Sequence, residues 1–428
     1  MIIQLNSSHP PHGTLFFKRP SKSIAQRALA CAVLAEGNSQ IIGAGNSSDV
    51  LTAINICRSL GSKVHIEEDK LIVEPNKNEL LYQQLNCRES GLCLRMFSPI
   101  AALSSSKTSI FCDRTLAARP HNFLQIMMSD CGVQFLSKDD QWPLEFKGPL
   151  HRKHIEVDAS ISSQHVTGLI FAFSSIESQT ETRILLIDPV SIPYIDLSLD
   201  ILKNFGIHAV RNGTEIIIPA SGKMLANVIE VESDWSSASC LLAAAAISGN
   251  VKLMGLKALS KQADAAILQA LEVFGAGIEI DTIIPAVRVF KKECKPIEFD
   301  ASDCPDLFPA LVAMCSVANG KSTLHGANRL LHKESNRALT LQQEFLKFGV
   351  KILISDNTLE VYGNENLLNP GIIDTHQDHR IAMACSAAAF RSKGQVEIQH
   401  AEVVDKSYPE FFPDLQLLGA DIRSLGGL

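Results

Sequence analysis

Apolar runs of helical period alternate with short strand-like stretches along the whole chain, and the alternation recurs. An amphipathic run ends in glycine and a strand-like stretch follows at SLGSKVHI, DCGVQFL, NFGIHAV, VFGAGIEI, KFGVKILI and LLGADIRS. The glycines are Gly61, Gly132, Gly206, Gly275, Gly349 and Gly419, at separations of 71, 74, 69, 74 and 70 residues. Gly just past a helix end is expected, because the backbone there often needs a positive φ that glycine adopts most readily. A second element precedes each one: a polar start, an Ala/Leu-rich run, a turn and a short strand. Its copies begin near Ser23, Gly91, Ser163, Ser237, Asp306 and Arg380, at separations of 68, 72, 74, 69 and 74 residues. Two independent features with one period near 70 residues define a repeat.

Each unit reads helix, strand, helix, strand, turn, strand. The strand pairs after the glycines alternate and carry turn signals, as in VHIEEDKLIVEP and AVRNGTEIIIPA. A unit of about 70 residues is long for a solenoid, and six units suggest two α/β domains of three. The sixth unit runs out, with nine residues after Gly419. The N-terminal stretch MIIQL is the candidate for its missing strand, which would tie the first residues to the last part of the chain.

Composition narrows the function classes. The chain has 428 residues, 46% of them hydrophobic, and a net charge of 39 − 46 = −7. Mild acidity argues against a general binder of nucleic acid or of a membrane surface, which need a basic face. A small anionic substrate stays open, since a few local Arg and Lys residues suffice for it. The eleven cysteines are scattered without metal-ligand spacing, as expected of buried small residues in a reducing, cytoplasmic setting. MIIQLNSSHP has no secretory pattern, and no uncharged apolar run approaches the ~18 residues of a membrane span.

Polar residues of unusual type gather where helices begin. The first unit opens with Ser21, Lys22, Ser23 and Arg27, the last two sharing a helix face. Ser162, Ser163 and Gln164 open the third unit, and Ser191 and Tyr194 begin its second helix. Arg119 is expected to begin the second helix of unit two. Asp306 heads an apolar run, as a helix cap or a partly buried base. HKESNRAL is expected to set Lys333 and Arg337 one helical turn apart, with Glu334 alongside. Asp378, His379 and Arg380 open the sixth unit, and Lys406 follows in VVDKSYPEFF. At any one of these positions, capping or a solvated ion pair explains the residue equally well. Lys22, Arg27, Arg119, Lys333, Arg337, Arg380 and Lys406 nevertheless put seven cations at or near helix starts, the end a helix dipole disfavours for them. Bound anions would neutralise them, which points to substrates bearing phosphate and carboxylate groups.

The segments PSKSIAQRAL, SGLCLR, ARP, SSQ, SIPY, SDWSSAS, PDLFPA, HKESNR, DHRIAMA and KSYPEFF occur in this order on the sixfold repeat. Together the set resembles the 5-enolpyruvylshikimate-3-phosphate synthases of the enolpyruvyl transferase family, over nearly the whole chain. The resemblance implies two similar domains, each of three βαβαββ units, with the active site in the cleft between them. One domain would span 19–233 and the other 1–18 plus 234–428. The implied reaction moves the enolpyruvyl group of phosphoenolpyruvate to the 5-hydroxyl of shikimate 3-phosphate, in chorismate and aromatic amino-acid biosynthesis. It implies a monomer that needs no metal or organic cofactor.

By the same resemblance, Ser23 and Arg27 hold the shikimate carboxylate. Ser162, Ser163 and Ser191 hold its 3-phosphate, Tyr194 lies against it, and Asp306 and Lys333 contact its hydroxyls. Lys22, Gly91, Arg119, Gln164 and Lys406 surround the phosphate of phosphoenolpyruvate, with Lys22 and Gln164 also reaching shikimate 3-phosphate. Arg337 and Arg380 grip the phosphoenolpyruvate carboxylate. Asp306 is the candidate base, Glu334 the candidate acid, and Lys22 the candidate to stabilise the departing phosphate.

The chain departs from the family pattern in two places. The glycine segment commonly reads Asn-Ala-Gly-Thr-Ala-x-Arg, and here it reads Glu89, Ser90, Gly91, Leu92, Cys93, Leu94, Arg95. Glu89 adds negative charge and Leu92 replaces a hydroxyl, which bears on phosphoenolpyruvate affinity and on the response to glyphosate-like analogues. Four residues before Lys333 stands Arg329, where the family usually has Asn. The competing readings are a UDP-N-acetylglucosamine enolpyruvyl transferase, an inactive anion-binding relative and an RNA-end-processing enzyme on a related repeat. The first family often carries a reactive Cys five residues before its Arg-Pro, where this chain has Arg114, with Cys112 seven before.

Overall fold

Among the described residues, six four-stranded sheets carry one topology. The computed structural model describes residues 1–76, 82–138, 141–220, 223–331 and 333–425. In the second repeat Tyr82–Asn86 runs parallel to Lys107–Phe111, and Leu144–Lys147 lies antiparallel between that strand and Gln134–Phe135. The third and fifth repeats reproduce the order with their own strands.

The other three sheets are completed by strands distant in sequence. Val228–Glu230 supplies the parallel edge strand beside Ser39–Ile42 of the first repeat. His12–Phe16 does the same beside Asn250–Met254 of the fourth. In the sixth, Ile2–Asn6 is inserted antiparallel between Val396–Gln399 and Asp421–Leu425. The chain divides accordingly into two compact lobes, Pro20–Glu232 and Met1–Arg19 with Ser233–Leu428. The protein is therefore α/β, with two lobes of three βαβαββ units each.

The first helix of each repeat has almost no polar face, so it is buried. These helices are Lys22–Leu34, Gly91–Ala101 and Ser163–Ser175 in one lobe, and Trp235–Ser248, Phe308–Ser316 and His379–Ala389 in the other. The three in each lobe pack on one another around its apolar core. Small residues permit the close approach: a Cβ on Gly168 would come within 2.7 Å of the Arg95 carbonyl oxygen and 2.8 Å of that of Met96. The second helices are amphipathic, as in Arg337–Lys347, and keep one face in solvent. All six repeat glycines that follow them have φ between 82° and 91°. Among the described residues no helix is long and apolar enough to cross a membrane.

Candidate active site

In the lobe Pro20–Glu232 the helix starts gather cations beside hydrogen-bonding groups. Lys22 is the first residue of its helix, and its Nζ donates to the buried Asp49 carboxylate at 2.8 Å. Arg27, one turn on, is 1% exposed. Its Nε donates to Ser198 Oγ at 2.9 Å and its Nη1 to the Ser23 carbonyl at 2.9 Å. The guanidinium lies over the Tyr194 ring, 5.9 Å from the centroid. Among the described residues no carboxylate pairs with it, and burial pushes its pKa down to about 10. A buried cation held only by neutral groups is a ready anion receptor.

A second cluster surrounds Gly91. Ser90 caps this helix by accepting from the Cys93 N–H. A Cβ on Gly91 would lie 3.0 Å from Arg95 Nη1 and 3.5 Å from Arg119 Nη1, so glycine leaves the space above the helix start to two guanidiniums. Arg95 Nη1 donates to Gln164 Oε1 at 2.8 Å, and Ser162 Oγ accepts from the Gln164 N–H. Arg119 Nε and Nη2 are buried with no hydrogen-bond partner among the described residues. Orphaned donors on a cation are costly unless an anion fills the place. Glu89 accepts from the Thr115 hydroxyl, and Leu92 is buried in the core.

In the other lobe the cations converge on one carboxylate. Asp306 Oδ1 accepts from Arg337 Nη1 at 2.7 Å and Lys333 Nζ at 3.2 Å, and Oδ2 from Arg380 Nη2 at 3.4 Å. Desolvation works to raise the Asp306 pKa, but Arg380, Lys333 and Arg337 outweigh it and hold the group well below the usual carboxylate range. Arg337 is 1% exposed and also donates to Asp378 through Nε at 2.8 Å and to Glu334 Oε2 at 2.5 Å. Burial opposes its charge, yet these three carboxylates raise its pKa well above the ordinary value. Asp378 caps the helix His379–Ala389 by accepting from the Arg380 N–H. Burial lowers the Lys333 pKa.

Several local expectations need correction. Lys333 and Glu334 are not one helical turn below Arg337, because the helix begins at Arg337 with Asn336 as its cap. The two residues lie in the bend before it and reach the site from a loop. Asp306 is not a helix cap; it sits in the 3-10 turn Pro305–Leu307 that leads into Phe308–Ser316. Arg119 does not begin a helix. It follows the short helix Arg114–Ala117 and precedes Asn122–Asp130, a stretch interrupted by Pro120. Lys406 ends the 3-10 helix Ala401–Lys406 rather than starting a helix.

Ser191 caps the helix Ile192–Asn204 with φ 54°. Among the described residues it is one of seven non-glycine residues at positive φ, and Arg88, His376, Gln377 and His400 are four others. All five stand at or just before the segments that carry candidate site residues. Strain of this kind concentrates where a fold holds functional groups in place.

Three participants lacked a legible role in the sequence. Asp49 holds Lys22, Ser236 lies against Arg380, and Asp264 lies behind Ser236. Ser236 belonged to the SDWSSAS segment, but nothing in KQADAAIL marked Asp264.

The fold and the helix-start clusters define a two-lobed α/β repeat protein whose helix starts gather cations. Two solved structures of EPSP synthase from Acinetobacter baumannii share the fold with TM-scores of 0.80. One is 23% identical and matches 99% of each chain; the other is 22% identical and matches 100% of each. The 3-phosphoshikimate 1-carboxyvinyltransferase of Clostridium perfringens strain 13 is 30% identical over 409 residues, covering 94% of this chain and 95% of the relative. That of Methanocorpusculum labreanum is 31% identical over 409 residues, covering 94% and 96%. The profile of EPSP synthase (3-phosphoshikimate 1-carboxyvinyltransferase) matches residues 12–415, and the chain belongs to that family.

Proposed function

We propose that the protein transfers the 1-carboxyvinyl group of phosphoenolpyruvate to the 5-hydroxyl of shikimate 3-phosphate and releases phosphate. Beyond family membership, the observation that carries this reading is the gathering of Lys333, Glu334, Arg337 and Arg380 about Asp306. Two acids and three cations in one place suit a reaction that removes one proton, adds another and handles a carboxylate.

Arg27 and Ser23 receive the shikimate carboxylate, for which the buried, uncompensated Arg27 is prepared. Ser162, Ser163 and Ser191 receive the 3-phosphate, with Tyr194 against the ring. Lys22, Gly91, Arg119, Gln164 and Lys406 receive the phosphate of phosphoenolpyruvate, and the orphaned Arg119 donors are the strongest support for that part. Arg337 and Arg380 receive its carboxylate, while Lys333 and Asp306 contact the shikimate hydroxyls.

Glu334 protonates the methylene carbon as Asp306 takes the proton of the attacking 5-hydroxyl, and a C–O bond forms at C2. The C2–O bond to phosphate then breaks as Glu334 takes back a methyl proton, which restores the vinyl group, and phosphate leaves with the proton first taken by Asp306. Lys22 stabilises charge on the departing phosphate. A substrate carboxylate on Arg337 and Arg380 would draw them partly from Asp306 and so raise its basicity. The working division assigns 19–233 to one domain and 1–18 plus 234–428 to the other, in a cytoplasmic monomer.

A UDP-N-acetylglucosamine acceptor with a reactive thiol is disfavoured. Burial, Asp113 and Glu89 push the Cys112 pKa up to about 12, so its thiol stays protonated near neutral pH. The test is phosphate release from phosphoenolpyruvate with shikimate 3-phosphate, with UDP-N-acetylglucosamine, and with neither. Release that requires shikimate 3-phosphate and is lost in Asp306→Ala supports the proposal. No release with either acceptor, from folded protein, overturns it.

A further inference from the structure

Behind Arg380 lies a chain of buried polar groups that the proposed chemistry does not use. Arg380 Nη2 donates to Ser236 Oγ at 2.5 Å, and its Nη1 to the Ser236 carbonyl at 3.5 Å. With its oxygen occupied by the guanidinium, the Ser236 hydroxyl donates onward to Asp264 Oδ2. Asp264 is 3% exposed, in the 3-10 turn Ala263–Ala266. Gln262 docks this turn on the start of helix Trp235–Ser248. Its Nε2 donates to the Ser233 carbonyl at 2.8 Å, and its Oε1 accepts from the Trp235 N–H at 3.2 Å. Such a chain has no evident purpose in packing, because a buried carboxylate costs stability unless its partners compensate. It does leave the guanidinium little freedom of rotation, since Asp306 Oδ2 accepts from the same Nη2 at 3.4 Å.

We infer that Asp264 is a positioning residue that acts through Ser236 to fix the orientation of Arg380 for a substrate carboxylate. The inference rests on the reading of Arg380 as a carboxylate receptor. Pre-orienting a planar fork spares the ordering cost that binding would otherwise carry.

Steady-state kinetics of the full-length protein with both substrates, alongside thermal unfolding, test it. Ser236→Ala and Asp264→Ala are expected to raise the KM for phosphoenolpyruvate by roughly tenfold, the scale of one hydrogen bond to a charged group. The KM for shikimate 3-phosphate should change less, by about twofold, because the chain bonds to Asp306 only through Arg380. Ser236→Thr keeps the hydroxyl and Asp264→Asn keeps an acceptor of the same shape, so both should retain most of the affinity. A merely structural role would lower the melting temperature without this selectivity or rescue. Equal changes for both substrates, or no change in either alanine variant, overturn the inference. Should Asp264→Ala not fold, Ser236→Ala against Ser236→Thr decides alone. Arg380→Ala is the control: an unchanged phosphoenolpyruvate KM in that variant would overturn the assignment of Arg380 itself, and the inference with it.

Discussion

Asp378→Ala perturbs the most deeply buried ion pair of the site. Asp378 is 0% exposed, and its carboxylate accepts from Arg337 Nε at 2.8 Å and Nη2 at 3.3 Å, Ser335 Oγ at 3.1 Å and the Arg380 N–H at 3.0 Å. Arg337 is equally buried, so removal of Asp378 leaves a guanidinium whose Nε has lost its acceptor and whose charge is less compensated. Breaking a buried pair by deleting one partner costs about 3–5 kcal/mol. Loss of the helix cap adds about 1 kcal/mol. A domain of this size shifts by roughly 2–4 °C per kcal/mol, so the melting temperature should fall by about 10 °C or more. Thermal unfolding followed by circular dichroism or calorimetry reads the shift, and phosphate release reads the activity. Asp378→Asn keeps the cap and part of the pairing geometry and should lose less. Were Asp378→Ala to melt within about 2 °C of the parent, Arg337 would not depend on this carboxylate, and the account of the cluster as a mutually compensated buried network would fail.

Asp306→Asn removes the proposed base while keeping its shape, and kcat should fall by roughly 10²–10⁴. The phosphoenolpyruvate KM should not rise, because the change removes a carboxylate that competes for Arg337 and Arg380; a kcat within tenfold of the parent would reject Asp306 as base. Gly168→Ala forces a methyl group against two backbone carbonyls and should cost about 1–3 kcal/mol in denaturant unfolding; a neutral effect would mean that the inner helices are not closely packed there.

Burial and the nearby Asp306 raise the Asp264 pKa from 3.8 to about 6, against the pull of Arg380 and Ser236. The folded state therefore holds a proton that the unfolded chain has released, and this contribution to stability declines as pH rises from about 4 to about 6. Asp264→Asn should therefore gain about 3 kcal/mol over the parent above pH 6 and nothing below pH 4. A stability difference independent of pH would show that Asp264 is not buried in its charged form.

The periodic features carried the architecture because they are local. An Ala/Leu-rich run with no polar face, as in CLLAAAAI, must be interior wherever it folds, and Gly61 and its five counterparts mark helix ends through a backbone requirement glycine meets alone. The cations Lys22, Arg27 and Arg380 stood out for a similar local reason, since a positive charge near a helix start conflicts with the helix dipole.

Residues outside regular elements were not. Lys333, Glu334 and Arg119 sit in bends whose course depends on the neighbours they meet, so helical spacing misplaced them. Asp264 and Asp49 became participants only because folding places them beside Ser236 and Lys22, 28 and 27 residues away in the chain.

The chain by itself determined six units, an α/β class, which helices are buried and which helix starts carry charge, because short-range pattern and backbone chemistry suffice for these. Only the tertiary structure decided that Val228–Glu230 and His12–Phe16 close sheets begun elsewhere, and that three cations share one carboxylate at Asp306. Apart from the strand MIIQL, which the shortened sixth unit called for, strand pairing and the electrostatics of buried groups depend on neighbours in space that sequence spacing does not reveal.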